Sequence, residues 1–433
     1  MISSQILQLS GRLRGSTFLA NMSKLLSGEM LAQIAGILAL PFLTRLYPPE
    51  AFGVLGLFMA VTEVGGKCSS LRYDVALVLP DQHATAWALY SFSSVWAWFF
   101  SGICLVTTYP LRWEICQYFG FEMLAPYFFL IAAMVLAIGL QSLASFWAMR
   151  MQHFKALAEA SAASAIFGNG FKLLAGVFGF GAGGLLLGTA LQRWLNLLLI
   201  RLRTPSAIWV HSFERGESRR QASAYLEFPL YRLPQDILNS VSRMLPNVLM
   251  LTFFGPAIAG FYILADRVLQ LPFSLLQEAL RKVFYIKAIE VRQSPLTLLE
   301  LSLKLSGLLC LGMVPVVLAV MLWAPLLCAT FFGVEWVVTG EYARWIIIAV
   351  VCHLISLPAS VLVPVMGWNR FYLIFEILST AFRISVVTLV ARSFSPQAAV
   401  MAIALTAAAS GLLLFGIVLF RLFKSDSRAG TTI

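Results

Sequence analysis

The chain is predicted to be an all-α integral membrane protein, with about twelve transmembrane helices in two parallel six-helix bundles. Three observations predict this. Of its 433 residues, 60% are apolar and only 12% are charged, whereas soluble chains average about 45–50% and ~25%. So little polar surface cannot cover a soluble core, and disorder is excluded because it needs low hydrophobicity and high charge. The apolar residues also fall in runs of about 20 or more, the length a helix needs to cross a bilayer. Finally, the basic residues collect in alternate loops, as they do in multi-pass proteins.

Taken in order, the spans are placed at 17–43, 51–71, 84–109, 124–148, 155–178, 182–201, 228–254, 257–280, 298–327, 341–363, 371–393 and 397–421, between polar or Pro/Gly breaks. The first follows Arg12 and Arg14. It is too long for the apolar core of a signal peptide and carries Lys24 and Glu29, so it is read as an uncleaved span. Ahead of it, Ile2, Ile6, Leu9 and Leu13 have helical spacing, which suits either a short helix on the membrane surface or a frayed terminus. The fifth span is small and Gly/Ser-rich, and the seventh is broken by polar residues. Prolines gather in the second half, among them Pro246, Pro272, Pro315 and Pro325, where they would kink helices.

With a cytoplasmic N-terminus, eighteen Lys and Arg residues lie in loops on one side. Only Arg45, Arg112, Arg344 and Arg392 lie on the other. This bias places both termini in the cytoplasm and requires an even number of spans. The longest connection, about 202–227, is polar and basic and links two halves, 1–213 and 214–433. The halves are faintly alike. Pro49 and Gly53 follow the first span as Pro256 and Gly260 follow the seventh, and Met149, Phe154 and Glu159 match Met366, Phe371 and Glu376. Six spans per half make the repeats parallel, about an axis along the membrane normal.

The net charge of +11 would suggest nucleic acid on a soluble protein. Here the loops account for it, so no nucleic-acid partner is expected. The six cysteines and four histidines are scattered. The cysteines read as small buried residues, and no metal site is assigned. No Walker A sequence, nucleophile elbow or H-E-x-x-H occurs, so no catalytic residue or cofactor is assigned either.

Function is sought in the charges inside the spans, which are costly there and usually face a cavity or a partner. Glu63 and Lys67 stand at i,i+4 in the favourable order for a helix ion pair. The seventh span carries a stripe of Asp236, Asn239, Ser240, Arg243 and Asn247, and the eighth carries Asp266, Gln270, Ser274, Gln277 and Arg281, with Arg267 beside it. Pairs such as Glu63/Lys67 and Glu300/Lys304 read as structural ties. The two stripes read as walls of a water-filled cavity between spans 1, 2, 7 and 8. Acids do not outnumber bases among the span residues, so a pure cation exporter is not indicated. Arginine forks suit phosphate oxygens, which makes an anionic head group the expected cargo.

Two stretches resemble a known family. Pro41-Phe42-Leu43-Thr44-Arg45-Leu46-Tyr47-Pro48-Pro49-Glu50-Ala51-Phe52-Gly53 is similar to the first-loop signature of bacterial polysaccharide-unit flippases of the Wzx type. So is Leu71-Arg72-Tyr73-Asp74-Val75-Ala76-Leu77-Val78-Leu79-Pro80 after the second span. Glu50 and Tyr73 stand where members often carry Glu and Tyr. That family belongs to the superfamily of multidrug-and-toxic-compound extrusion transporters and lipid II flippases. The resemblance implies a multi-pass protein of the bacterial inner membrane. It would flip undecaprenyl-pyrophosphate-linked oligosaccharide to the periplasmic leaflet by alternating access, through a cationic cavity, often with ion-coupled exchange.

On this reading Lys24, Arg243 and Arg267 are the substrate-binding candidates, meeting the pyrophosphate. Glu29, Glu63, Asp236 or Asp266 bind the coupling proton or Na+. The expected partners are the lipid-linked oligosaccharide, membrane lipids and the polysaccharide polymerase machinery. A drug or metabolite exporter of the same superfamily is the alternative. An integral-membrane glycosyltransferase or ligase fits less well, because the outer loops are short and the largest, about 110–123, offers only Glu114 and Glu122 as acids.

Overall fold

A computed structural model describes residues 16–119, 122–205, 215–291 and 294–429. Among them every regular element is helical. The stretch from Ile2 to Leu13, with Arg12, and the middle of the basic connection at 206–214 lie outside the described residues, as does Arg14. The long helices are α1 (Ser16–Leu46), α2 (Pro49–Ser70), α4 (His83–Thr108), α6 (Phe128–Arg150), α7 (Phe154–Val177), α8 (Gly181–Arg203), α10 (Leu233–Glu290), α11 (Pro295–Phe332), α12 (Val337–Ile355), α14 (Asn369–Ser393) and α15 (Pro396–Ala429). Short helices lie between them: α3 (Tyr73–Ala76), α5 (Arg112–Phe119), α9 (Arg215–Ala224) and α13 (Leu357–Val365).

Ten helical stretches among the described residues are long and apolar enough to cross a membrane. One of them, Phe228–Glu290, is 63 residues long and is two spans in one. Its break is Gly255, with φ 83° and ψ 176°, a left-handed backbone that only glycine adopts without strain. Pro246 and Pro272 also sit inside α10, but Gly255 is the residue that leaves helical geometry. The bend therefore comes from the Gly255-Pro256 pair rather than from the mid-span prolines. Together with the Gly/Ser-rich α7, the twelve expected spans are all helical, and the chain is a multi-pass membrane protein.

The chain forms two compact units. The first is Met1–Tyr47 with Leu57–Met244, and the second is Pro48–Gly56 with Leu245–Ile433. In the first unit α1 lies along α7, α7 along α8, and α6 packs on α4 and α8. Its core gathers Trp147, Trp87, Tyr90, Tyr73, Leu143 and Leu77. Between lipid-facing helices the apolar effect is weak, so such packing rests on close van der Waals contact.

The second unit contains a reciprocal crossing. A Cβ on Gly53 would strike the carbonyl oxygen of Pro256, and a Cβ on Gly260 would strike that of Pro49. The two similar Pro-x-x-x-Gly segments therefore pack on each other, each glycine admitting the other's proline backbone. Trp336, only 1% exposed, sits between Phe52 and Phe261, edge-on to both at 5.2 and 5.5 Å.

Candidate functional site

The densest polar group in the first unit forms at the end of α2. Leu71 and Arg72 both take left-handed backbone, with φ 50° and 59°. This is unfavourable for side chains with a Cβ, by roughly 1–2 kcal/mol each. Side-chain bonds hold the turn. The Ser93 hydroxyl donates to the Ser70 carbonyl at 2.7 Å, the Trp96 indole donates to the Cys68 carbonyl at 3.2 Å, and the Arg72 amide donates to Ser70 Oγ at 3.3 Å.

The reversal aims the Arg72 guanidinium at two carboxylates. Its Nη1 lies 3.3 Å from Asp74 Oδ2 and its Nε lies 2.7 Å from Asp236 Oδ2. The second contact lies off the N–H direction, so it is a charge pair more than a directed hydrogen bond. Asp74 is fully buried and also accepts from Ser142 at 2.5 Å and Ser70 at 3.3 Å. Arg232, one turn before Asp236, reaches it at 3.2 Å. Lys67 donates to the Asp236 carbonyl at 3.2 Å and to the Ser240 hydroxyl. The Tyr73 hydroxyl donates to the Ala222 carbonyl at 2.9 Å, which ties α9 to the turn. Burial raises the pKa of this phenol and keeps it a donor.

A second polar chain crosses the same unit. Arg193 donates to Glu63 at 3.0 Å and to Gln141 at 3.1 Å. Gln141 donates to Asn196 at 2.9 Å, and Asn196 donates to Ser164 at 3.1 Å. Lys172, 5% exposed, donates to Gln192 at 3.2 Å and to Asn169 at 3.4 Å. Glu63 and Lys67 thus do not pair along their own helix, as their spacing suggested. Each is drawn to a partner on another helix. Glu300 and Lys304 do pair, at 2.6 Å.

The candidate residues therefore fall into two kinds. Asp236 and Glu63 hold guanidinium groups within the first unit. Arg243 is exposed, and its Nε donates only to the carbonyl of Asn239 one turn back, at 3.2 Å. Glu29 is exposed as well. Lys24 lies in α1, but its side chain is outside the described residues. In the second unit Arg267 is exposed and makes no ion pair or hydrogen bond among the described residues, while the half-buried Asp266 accepts from Gln270 at 3.3 Å. The sequence reading missed the knot of Arg72, Asp74, Ser142 and Arg232. Ser70, Arg72 and Asp74 sit within five residues at the foot of a span, which is a usable signal. Nothing linear joins them to Ser142 or Asp236.

A family model described as polysaccharide biosynthesis protein matches residues 42–341. No curated protein matches the chain. Among solved structures, an inward-facing multidrug resistance transporter of the MATE family and MOP superfamily is similar over 92% of this chain and 96% of that one, with 14% identity and a TM-score of 0.66. The lipid II flippase MurJ, in an inward closed conformation, is similar over 92% of this chain and 86% of that one, with 12% identity and a TM-score of 0.72. A MOP superfamily transporter from Pyrococcus furiosus is similar over 93% and 95%, with 14% identity and a TM-score of 0.53. At these identities the likeness shows the fold.

Proposed function

We infer that this chain, which belongs to the polysaccharide biosynthesis protein family, is a flippase for undecaprenyl-pyrophosphate-linked oligosaccharide units in the bacterial inner membrane. It moves each unit by alternating access toward surface polysaccharide synthesis. The observation that carries this reading, beside the family, is the division among its cations. Arg72, Arg193 and Arg232 are held by carboxylates of the first unit, whereas Arg243 and Arg267 have no carboxylate partner among the described residues. A guanidinium without a counter-ion in an apolar protein is a ready contact for a phosphate.

Arg243 and Arg267, with Lys24, are assigned to the pyrophosphate. Glu29, Glu63, Asp236 or Asp266 binds the coupling proton or Na+; of these, a cation at Glu63 or Asp236 must first displace a guanidinium, whereas Asp266 accepts only from the neutral Gln270 among the described residues. The loop charges place both termini in the cytoplasm, and polymerase machinery on the outer side is the expected partner.

The test is genetic. The wild-type chain restores surface glycan to a strain lacking it, and Arg243→Ala or Arg267→Ala lowers that glycan at matched membrane abundance. Normal glycan in the deletion strain, together with efflux of amphipathic cations by the wild-type chain, would instead make it an exporter.

A further inference from the structure

A cavity of about 220 Å³ opens in the second unit, lined by Met321, Glu341, Arg344, Trp345 and Gln397. That volume admits a small ligand of about the size of a single sugar ring, and not a long chain. It forms where α11, α12 and α15 pack on one another. Glu341 and Arg344 stand at i,i+3 in the first two turns of α12, Trp345 follows, and Gln397 is the second residue of α15. Glu341 and Arg344 lie on one helix face yet form no ion pair with each other. The Arg344 Nε is buried and donates to no group among the described residues, an arrangement proteins generally avoid. Trp345 is half-buried and gives the cavity a broad aromatic wall beside the Met321 side chain.

The donor set narrows the ligand. A carboxylate, a guanidinium and a carboxamide together accept and donate at several points, as a rim of hydroxyls does. The indole and thioether offer an apolar wall for the C–H face of a ring. Glu341 repels a phosphate, and three polar groups exclude an acyl chain. Helices α12 and α15 both begin on the side that the loop charges make the outer one. We propose that this cavity is a subsite for one pyranose ring, held by Glu341, Arg344 and Gln397 against Trp345, which receives a sugar of the cargo on the outer side of the membrane. The proposal rests on the flippase reading above.

The full chain in lipid nanodiscs is probed by saturation-transfer NMR with methyl glucoside, methyl galactoside and methyl N-acetylglucosaminide, with sorbitol as an open-chain polyol. The expected result is a signal from at least one pyranose and none from sorbitol. That signal weakens about tenfold in Arg344→Gln, the loss expected for one charge-assisted hydrogen bond, and by a similar factor in Trp345→Ala, which removes the aromatic wall. Arg392→Gln, which removes another outer-side cation, leaves it unchanged, and Trp345→Phe retains most of it. Unfolding profiles matching the wild type show that the variants fold. If Trp345→Ala does not, Arg344→Gln carries the test. No pyranose signal, or equal signals from wild type and Arg344→Gln, overturns the subsite. A wild-type chain that binds a pyranose yet leaves the deletion strain without glycan overturns the flippase reading. One that restores glycan yet binds no pyranose overturns the subsite alone.

Discussion

Replacing Asp74 with Asn removes one negative charge and keeps the outline of the side chain. Asp74 is fully buried and receives Ser70, Ser142 and Arg72. Removing one partner of a buried ion pair costs about 3–5 kcal/mol, because the other charge is left uncompensated. Arg72 retains Asp236 at 2.7 Å and its side chain is 17% exposed, which puts the expected loss near the lower end, about 3 kcal/mol. The amide oxygen of Asn still accepts one of the two hydroxyls. Asp74→Ala strands both, at about 1–3 kcal/mol for each buried group left unpaired, so Ala is more damaging than Asn. The assay is unfolding of the purified full chain in detergent, followed by dye labelling of its free cysteines, of which Cys116 is buried and Cys68 and Cys104 are half-buried. A double-mutant cycle of Asp74→Ala with Arg72→Ala should give a coupling energy of at least about 1 kcal/mol. High salt should change it little, because buried pairs are weakly screened. Asp74→Asn within about 0.5 kcal/mol of the wild type, the range of an ordinary surface change, would refute the reasoning.

Other outcomes follow from the same geometry. Gly53→Leu or Gly260→Leu drives a side chain into the opposing proline backbone and should destabilise the second unit by about 1–3 kcal/mol or more. Gly102→Ala, where nothing lies within 4 Å, should be near neutral, and matched melting curves for all three would remove the crossing from the account. Glu63→Gln should lower the melting temperature by leaving Arg193 with only Gln141, and Arg193→Gln in the same chain should recover part of that loss. A double variant as unstable as the sum of the singles would show no coupling. Arg243→Ala and Arg267→Ala should lower surface glycan with melting curves unchanged, whereas Arg72→Ala should lower both. A stability loss in Arg267→Ala would reveal a structural role for that guanidinium.

Much of the architecture was legible in the sequence. The repeat was visible as Pro49/Gly53 against Pro256/Gly260, although its physical meaning was not. Only the structure shows that each glycine of one copy receives the proline backbone of the other. The break in α10 was read at 255–256, between the seventh and eighth spans, and Gly255 makes it there. The mid-span Pro246 and Pro272, read as kinks, stay within helical geometry, because a proline inside a span bends a helix less decisively than a residue at positive φ ends one. The turn at Leu71 and Arg72 carries no glycine to announce it. Its left-handed backbone is imposed by Ser70, Ser93, Trp96 and the carboxylates around Arg72.

By itself the sequence determined that the chain spans a membrane, which segments do so, and which loops carry the positive charge. A bilayer imposes these properties on each segment separately, through its length and polarity. It also marked the residues whose burial needs a reason. Only the tertiary structure decided which of them answer to one another. Helical spacing fixes the face on which a charge stands, but its partner depends on what packs against that face. Glu63 therefore meets Arg193, 130 positions away. Lys67 meets Ser240, 173 positions away. Among the described residues, Arg243 and Arg267 are left without an acid partner.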